Sequence, residues 1–304
     1  MSVPAAYIGV IILWSTTPLA VKWSVVGSSF LFGVSSRMML GAMLCLFLVR
    51  LMRVEFPWHR EARRTYLIAG LGIYGAMLSV YWGAQYIPSG LIAVIFGLTP
   101  LATGVMAALW LGERALSPAK VAGMALGIFG LVVIFDAGKQ WESSSWMGIS
   151  AMLVSVLVHS ASSVWVKRLG NKSHLHPLAV NTGALTFAAP LFLLTWIVID
   201  REIPETITFQ AAASIVYLGI AGTVIGFSLY YYILKHLSAA VIALITLVTP
   251  VLALLLGQSL NGETVQPKVW WGTASILAGL LLYQRGNGQT ALARLNRHNR
   301  NVRY

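Results

Sequence analysis

Tyr86-Ile87-Pro88-Ser89-Gly90-Leu91-Ile92-Ala93 runs on to Leu98-Thr99-Pro100-Leu101 and then to Leu111-Gly112-Glu113, and the chain repeats this stretch near its end. The second copy is His236-Leu237-Ser238-Ala239-Ala240-Val241-Ile242-Ala243, followed by Val248-Thr249-Pro250-Val251 and by Asn261-Gly262-Glu263. Ala93 to Ala243, Pro100 to Pro250 and Glu113 to Glu263 keep one constant offset of 150 residues. An earlier pair repeats at an offset of 145, Trp14-Ser15-Thr16-Thr17-Pro18-Leu19-Ala20-Val21-Lys22 against His159-Ser160-Ala161-Ser162-Ser163-Val164-Trp165-Val166-Lys167. Echoes at fixed spacing mark two copies of one structural unit.

Outward from these copies the chain is apolar, with 58% hydrophobic and 10% charged residues over 304 positions and a mean hydropathy of +0.77. A soluble domain carries about 25% charge, so this chain cannot cover itself with a water-compatible surface. A membrane-spanning helix needs about 20 mostly apolar residues. Such segments fall near 4–23, 30–49, 66–86, 89–111, 119–136, 146–166, 176–198, 211–234, 239–260 and 269–284. Long continuous runs exclude the short alternating segments of a membrane barrel. The expectation is an all-α integral membrane protein of ten transmembrane helices. Five helices occupy 4–136, a linker 137–145, five more 146–284, and a basic cytoplasmic tail 285–304. An odd number of helices per copy inverts the second copy relative to the first, the arrangement that gives transporters two related end states.

The +12 net charge follows topology and is no nucleic-acid signal. With the N-terminus inside, only Lys22, Arg37, Lys139, Arg201 and Lys268 lie outside or near outer helix ends, leaving 16 of the 21 Lys and Arg on the inner side. That bias predicts a plasma membrane protein with both termini cytoplasmic. The tail is also expected to touch anionic lipid. Cys45 stands alone, which excludes a disulfide framework. The first apolar run has no basic residues ahead of it and reads as a spanning helix, not a cleaved signal.

Trp14 with Lys22, the Ala93…Thr99-Pro100…Gly112-Glu113 run and the Ala243…Thr249-Pro250…Gly262-Glu263 run resemble the EamA family of the drug/metabolite transporter superfamily, over roughly 5–284. The resemblance implies ten helices, termini inside, a central cavity lined by both halves, and export of amino acids or other small metabolites. It leaves the substrate open.

Several residues carry a functional reading beside a plainer one. Trp14, Ser15 and Thr17 of helix 1, with His159 and Ser160 at the matching depth of helix 6, suit a cavity for a polar metabolite; the plainer reading has the hydroxyls bonding their own helix carbonyls. His159, whose free pKa lies near neutrality, is the candidate for proton coupling. Arg37 sits about eight residues into helix 2 and either snorkels to the outer interface or attracts a substrate carboxylate. Lys22 reads as an interfacial anchor. Tyr74 and Tyr81 share a face of helix 3 with Met77 and, with Trp14, form either a wall for an apolar side chain or ordinary packing. Pro100 and Pro250 remove a helix hydrogen bond at matched places and are candidate hinges, with Thr99 or Thr249 placed to bond a freed group. Small-residue stripes through Ser89, Ala93, Gly97, Gly104 and Ala108, and through Ala239, Ala243, Thr246, Pro250, Ala253 and Gly257, read chiefly as helix packing. Glu113 and Glu263 read as caps of the helices that follow.

No Asp or Glu lies deep within a segment, which disfavours a proton-coupled exporter of cationic drugs. No zinc motif, nucleophile elbow or P-loop is present, so no enzyme, cofactor or metal is expected. The expected partners are a small-molecule substrate and the bilayer, without nucleic acid, and with a monomer favoured over an oligomer. The favoured function is export of amino acids. A facilitator or importer of a nucleoside or sugar derivative, and a non-transporting membrane scaffold, remain as alternatives.

Overall fold

The computed structural model describes residues 2–111, 118–138, 144–170, 175–237 and 245–301, and every regular element among them is helical. The first part comprises α1 Val3–Trp23, α2 Phe30–Leu51, α3 Arg60–Gly83, α4 Ser89–Phe96, α5 Thr99–Leu111 and α6 Pro118–Gly138. The second comprises α7 Ser145–Gly170, α8 Pro177–Ile199, α9 Phe209–Tyr217, a π-helical segment Leu218–Gly226, α10 Phe227–His236, α11 Ile245–Asn261 and α12 Pro267–Asn301. Among the described residues seven stretches are long and apolar enough to cross a membrane, counting Ser89–Trp110 and Phe209–Tyr230 as one each. Pro118–Ile134 and Ile245–Asn261 are shorter apolar helices. Large apolar side chains such as Phe47, Ile128, Phe129 and Leu194 stand on the outside of the bundle, where an aqueous surface would not hold them.

Four of the expected segments differ in detail. α3 begins at Arg60, six residues before the apolar run, with His59 accepting from the Ala62 amide as its N-cap. Hydropathy marks where a chain enters lipid, not where its helix begins. The 89–111 segment is two helices, α4 and α5, interrupted at Gly97–Leu98. The 211–234 segment changes to π geometry over nine residues. α12 continues beyond 284 to Asn301, so the backbone of most of the basic tail extends the last helix. Ala239 and Ala243 of the small-residue stripe, together with Gly112 and Glu113, lie outside the described residues.

Small residues set the helix contacts. A Cβ on Gly123 would stand 2.5 Å from the Gly279 carbonyl oxygen, and one on Gly130 2.5 Å from that of Gly272. The pairing of 123 with 279 and 130 with 272 makes α6 and α12 antiparallel. A Cβ on Gly90 of α4 would lie 2.7 Å from Leu254 Cα of α11, and one on Gly83 of α3 would lie 3.0 Å from the Gly148 carbonyl of α7. Ser155 of α7 adds a hydrogen bond to the Ala76 carbonyl of α3 at 2.8 Å. Close approach recovers dispersion and polar contacts that lipid-facing side chains cannot supply.

Gly130→Leu is therefore expected to lower stability by about 2 kcal/mol through overpacking against backbone. Gly9→Ala, whose Cβ would meet only the flexible end of Leu229 at 3.0 Å, should change little. Thermal unfolding of the detergent-purified variants measures both; equal stability of Gly130→Leu and the parent would contradict the packing account.

Candidate functional site

The interruption between α4 and α5 follows from Pro100, which has no amide to return to Phe96. The chain instead turns at Gly97, whose amide reaches the carbonyls of Ala93 and Val94, both at 3.0 Å. Ser160 of α7 donates to the Thr99 carbonyl at 3.4 Å. The Thr99 hydroxyl is buried without a partner, so it does not bond a freed group as expected from sequence. Pro250 differs: it lies within α11, which continues through it.

On α1 the hydroxyls turn inward to their own helix. Ser15 donates to the Ile11 carbonyl at 2.7 Å and Thr17 to that of Leu13 at 2.6 Å, the plainer of the two readings. Thr16 bonds Ile12 and Leu13 and also lies 2.5 Å from the Tyr217 hydroxyl of α9. Trp14 packs on Tyr230 of α10 with ring centroids 4.9 Å apart. α1 thus meets α9 and α10 of the second part through these residues. Tyr74 lies elsewhere, against Phe192 at 4.9 Å and the Thr195 hydroxyl at 2.7 Å. Tyr81 is fully buried with its hydroxyl unpartnered. The aromatic wall drawn from sequence is divided, because Trp14 belongs to one apolar cluster and Tyr74 and Tyr81 to another. His159 is half-buried and faces the Phe96 ring at 6.3 Å; among the described residues it has no hydrogen-bond partner.

Arg37 does not snorkel. It is 2% exposed, and its surroundings are made by an exceptional piece of backbone. α2 and the π segment approach closely because both carry glycines. A Cβ on Gly41 would fall 2.7 Å from Thr223 Cγ2, and one on Gly219 2.7 Å from Leu40 Cδ2. The Thr223 hydroxyl donates to the Leu218 carbonyl, five residues back, at 2.9 Å and accepts from Arg37 Nε at 3.1 Å. The Thr223 carbonyl accepts from Asn181 Nδ2 of α8 at 3.0 Å. Arg37 Nη1 and Asn181 Oδ1 are buried without partners. Among the described residues no carboxylate pairs with Arg37. A π turn at a functional site is a recurrent device, yet neither Thr223 nor Asn181 stands out in the sequence. The small residues Gly219, Ala221, Gly222 and Gly226 were the available signal.

At the α1 C-terminus a polar latch joins three helices. Lys22 Nζ donates to the Ile87 carbonyl at 2.7 Å. Trp23 Nε1 donates to Asn261 Oδ1 at 2.8 Å, Asn261 Nδ2 to Glu263 Oε1 at 2.8 Å, and Ser89 Oγ to Glu263 Oε2 at 2.9 Å. Gly262, at φ 61°, reverses the chain so that this carboxylate reaches α4. The expected cap on the following helix is thereby corrected: Glu263 binds the first residue of α4 instead. Two recesses lie at bundle ends, about 620 Å³ beside Ser28 and Glu202 and about 520 Å³ beside Arg50 and Phe56. Neither contains a residue singled out above.

The EamA-like transporter family matches residues 3–136 and again 146–284, so the chain belongs to that family; it is an integral membrane transporter, not an enzyme. It is 29% identical over 234 residues to a probable terminal-alkyne amino-acid exporter of Streptantibioticus cattleyicolor, covering 76% of each chain. It is 24% identical over 282 residues to the uncharacterized transporter YoaV of Bacillus subtilis, covering 90% of this chain and 94% of that one. A solved crystal structure shares the fold with a TM-score of 0.66 at 21% identity, over 93% of this chain and 97% of the other.

The latch is testable as a coupled pair. A double-mutant cycle of Ser89→Ala and Glu263→Ala, read by thermal unfolding, should give an interaction energy of about 1.5–3 kcal/mol, the range for a hydrogen bond to a charged acceptor. Additive losses would contradict the contact.

Proposed function

We propose that this chain exports small metabolites, above all amino acids, across the plasma membrane by alternating access between two inverted five-helix halves. The observation that carries the reading is Arg37, a buried cation on the first half held by Thr223 of the second and, among the described residues, without a carboxylate partner. A charge at such depth is costly unless it has a task, and a carboxylate-bearing substrate supplies the missing partner. The probable exporter of an amino acid among the relatives supports the same class.

In this reading the ten helices leave both termini cytoplasmic, as the positions of Lys and Arg favour. The antiparallel α6 and α12 are compatible with inversion. The latch of Trp23, Ser89, Asn261 and Glu263 then lies at the outer face, and this conformation is closed there. Trp14, Ser15, Thr17, Tyr74, Tyr81 and Ser160 surround the path. Most of their hydroxyls are already engaged, so they shape it more than they grip the substrate. His159 relays protons if transport is coupled. Pro100, at a broken helix, is the stronger hinge, and Pro250 within a continuous helix is the weaker.

Flux of twenty labelled amino acids into proteoliposomes, with and without a pH gradient, tests the proposal. Saturable amino-acid flux is expected, and Arg37→Ala should raise KM for zwitterions by tenfold or more, in keeping with a charged hydrogen bond of about 1.5–3 kcal/mol. Pro100→Ala should slow turnover with less effect on KM. Absence of amino-acid flux in folded protein would overturn the reading. Equal loss of neutral and zwitterionic substrates in Arg37→Ala would remove Arg37 from the site.

A further inference from the structure

We infer that Asn181 accepts the ammonium group of the transported amino acid while Arg37 donates to its carboxylate, so that the site selects zwitterions. The inference rests on the amino-acid reading above and adds a residue and a rule of selection to it.

Three observations carry it. First, the two unpartnered atoms have opposite hydrogen-bonding sense. Arg37 Nη1 can only donate and Asn181 Oδ1 can only accept. Second, the orientation of the Asn181 amide is fixed by its neighbours. The Thr223 carbonyl at 3.0 Å accepts only, and Cys45 Sγ at 3.6 Å is a further weak acceptor, so the NH2 group faces them and Oδ1 turns away. Third, both side chains are anchored on one residue, Arg37 on the Thr223 hydroxyl and Asn181 on its carbonyl. The free donor and the free acceptor therefore belong to two side chains held by the same residue of the π segment. The carboxylate and ammonium of an α-amino acid are likewise carried on a single carbon. Two charge-assisted hydrogen bonds of about 2.8 Å would satisfy both orphaned atoms at once.

The acidic residues of the chain, Glu55, Glu61, Glu113, Asp136, Glu142, Asp200, Glu202, Glu205 and Glu263, all lie toward the ends of the apolar segments. Among the described residues none of these carboxylates bonds Arg37, Thr223 or Asn181. A neutral amide oxygen binds an ammonium group without closing an internal ion pair with Arg37. A full carboxylate at position 181 would neutralise the guanidinium and compete with the substrate. Bracing of the π segment alone would use only the Asn181 NH2 group and would leave no reason for a buried, unmet oxygen, which costs stability.

The test uses full-length protein in proteoliposomes. The probes are the amino acid with the fastest flux among the twenty, its deaminated carboxylic acid and its decarboxylated amine. The parent protein should bind the amino acid at least about tenfold more tightly than either analogue, the scale of one charge-assisted hydrogen bond. Asn181→Leu should weaken the amino acid by a similar factor while leaving the deaminated acid unchanged. Loss of both ligands in equal proportion would make Asn181 a brace and overturn the inference. If Asn181→Leu does not fold, the parent protein decides alone: deaminated acid bound as tightly as the amino acid overturns the inference. Absence of any amino-acid flux overturns it together with the reading on which it rests. Amino-acid flux without discrimination against the deaminated acid overturns it alone.

Discussion

Helices in lipid gain little from the hydrophobic effect between them, so how closely their backbones approach decides what they can build. In this protein glycine sets that approach. Gly123 and Gly130 meet Gly279 and Gly272 between α6 and α12, and Gly90 meets Leu254 between α4 and α11. The same rule makes the interior site. Gly41 and Gly219 bring α2 against the π segment, and only at that separation does the Arg37 side chain reach Thr223. A larger residue at either glycine would move the guanidinium away from its acceptor.

The energetics of that site explain its odd geometry. Burying an arginine within a membrane helix is costly, about 2.5–3.5 kcal/mol at the helix centre even on the mildest scales. One hydrogen bond from Nε recovers part of this and leaves Nη1 unmet. The acceptor is the Thr223 hydroxyl, which bonds back over five residues to Leu218 and still accepts from Arg37. The polar latch at the α1 C-terminus has a different character. Ser89 is buried while Trp23, Asn261 and Glu263 are partly or fully exposed, and the four side chains bond one another.

The helical membrane character and the duplication were legible in the sequence, because apolar length and a fixed repeat offset report directly on them. The helix start at Arg60 escaped, since hydropathy is silent about helix outside lipid. Pro100 announced a break, while Pro250, with an identical flanking threonine, lies in an unbroken helix; a proline states which amide is missing and not how neighbours compensate. Arg37 was visible as a cation in an apolar run. Its surroundings were not, because Thr223 reaches Arg37 across 186 residues of chain and Asn181 reaches Thr223 across 42, and a π turn has no periodicity that a short glycine-rich window can reveal. Glu263 was legible as a structural carboxylate, but the αL turn at Gly262 sends it to a helix that precedes it by 174 residues.

The central claim is that the guanidinium of Arg37 binds the carboxylate of an amino acid. Equilibrium binding of an amino acid and of its methyl ester to the purified protein tests this most directly, because the ester keeps the side chain and the ammonium and loses only the negative charge. The account predicts that the ester binds at least about tenfold more weakly. Equal affinity of the two would contradict it.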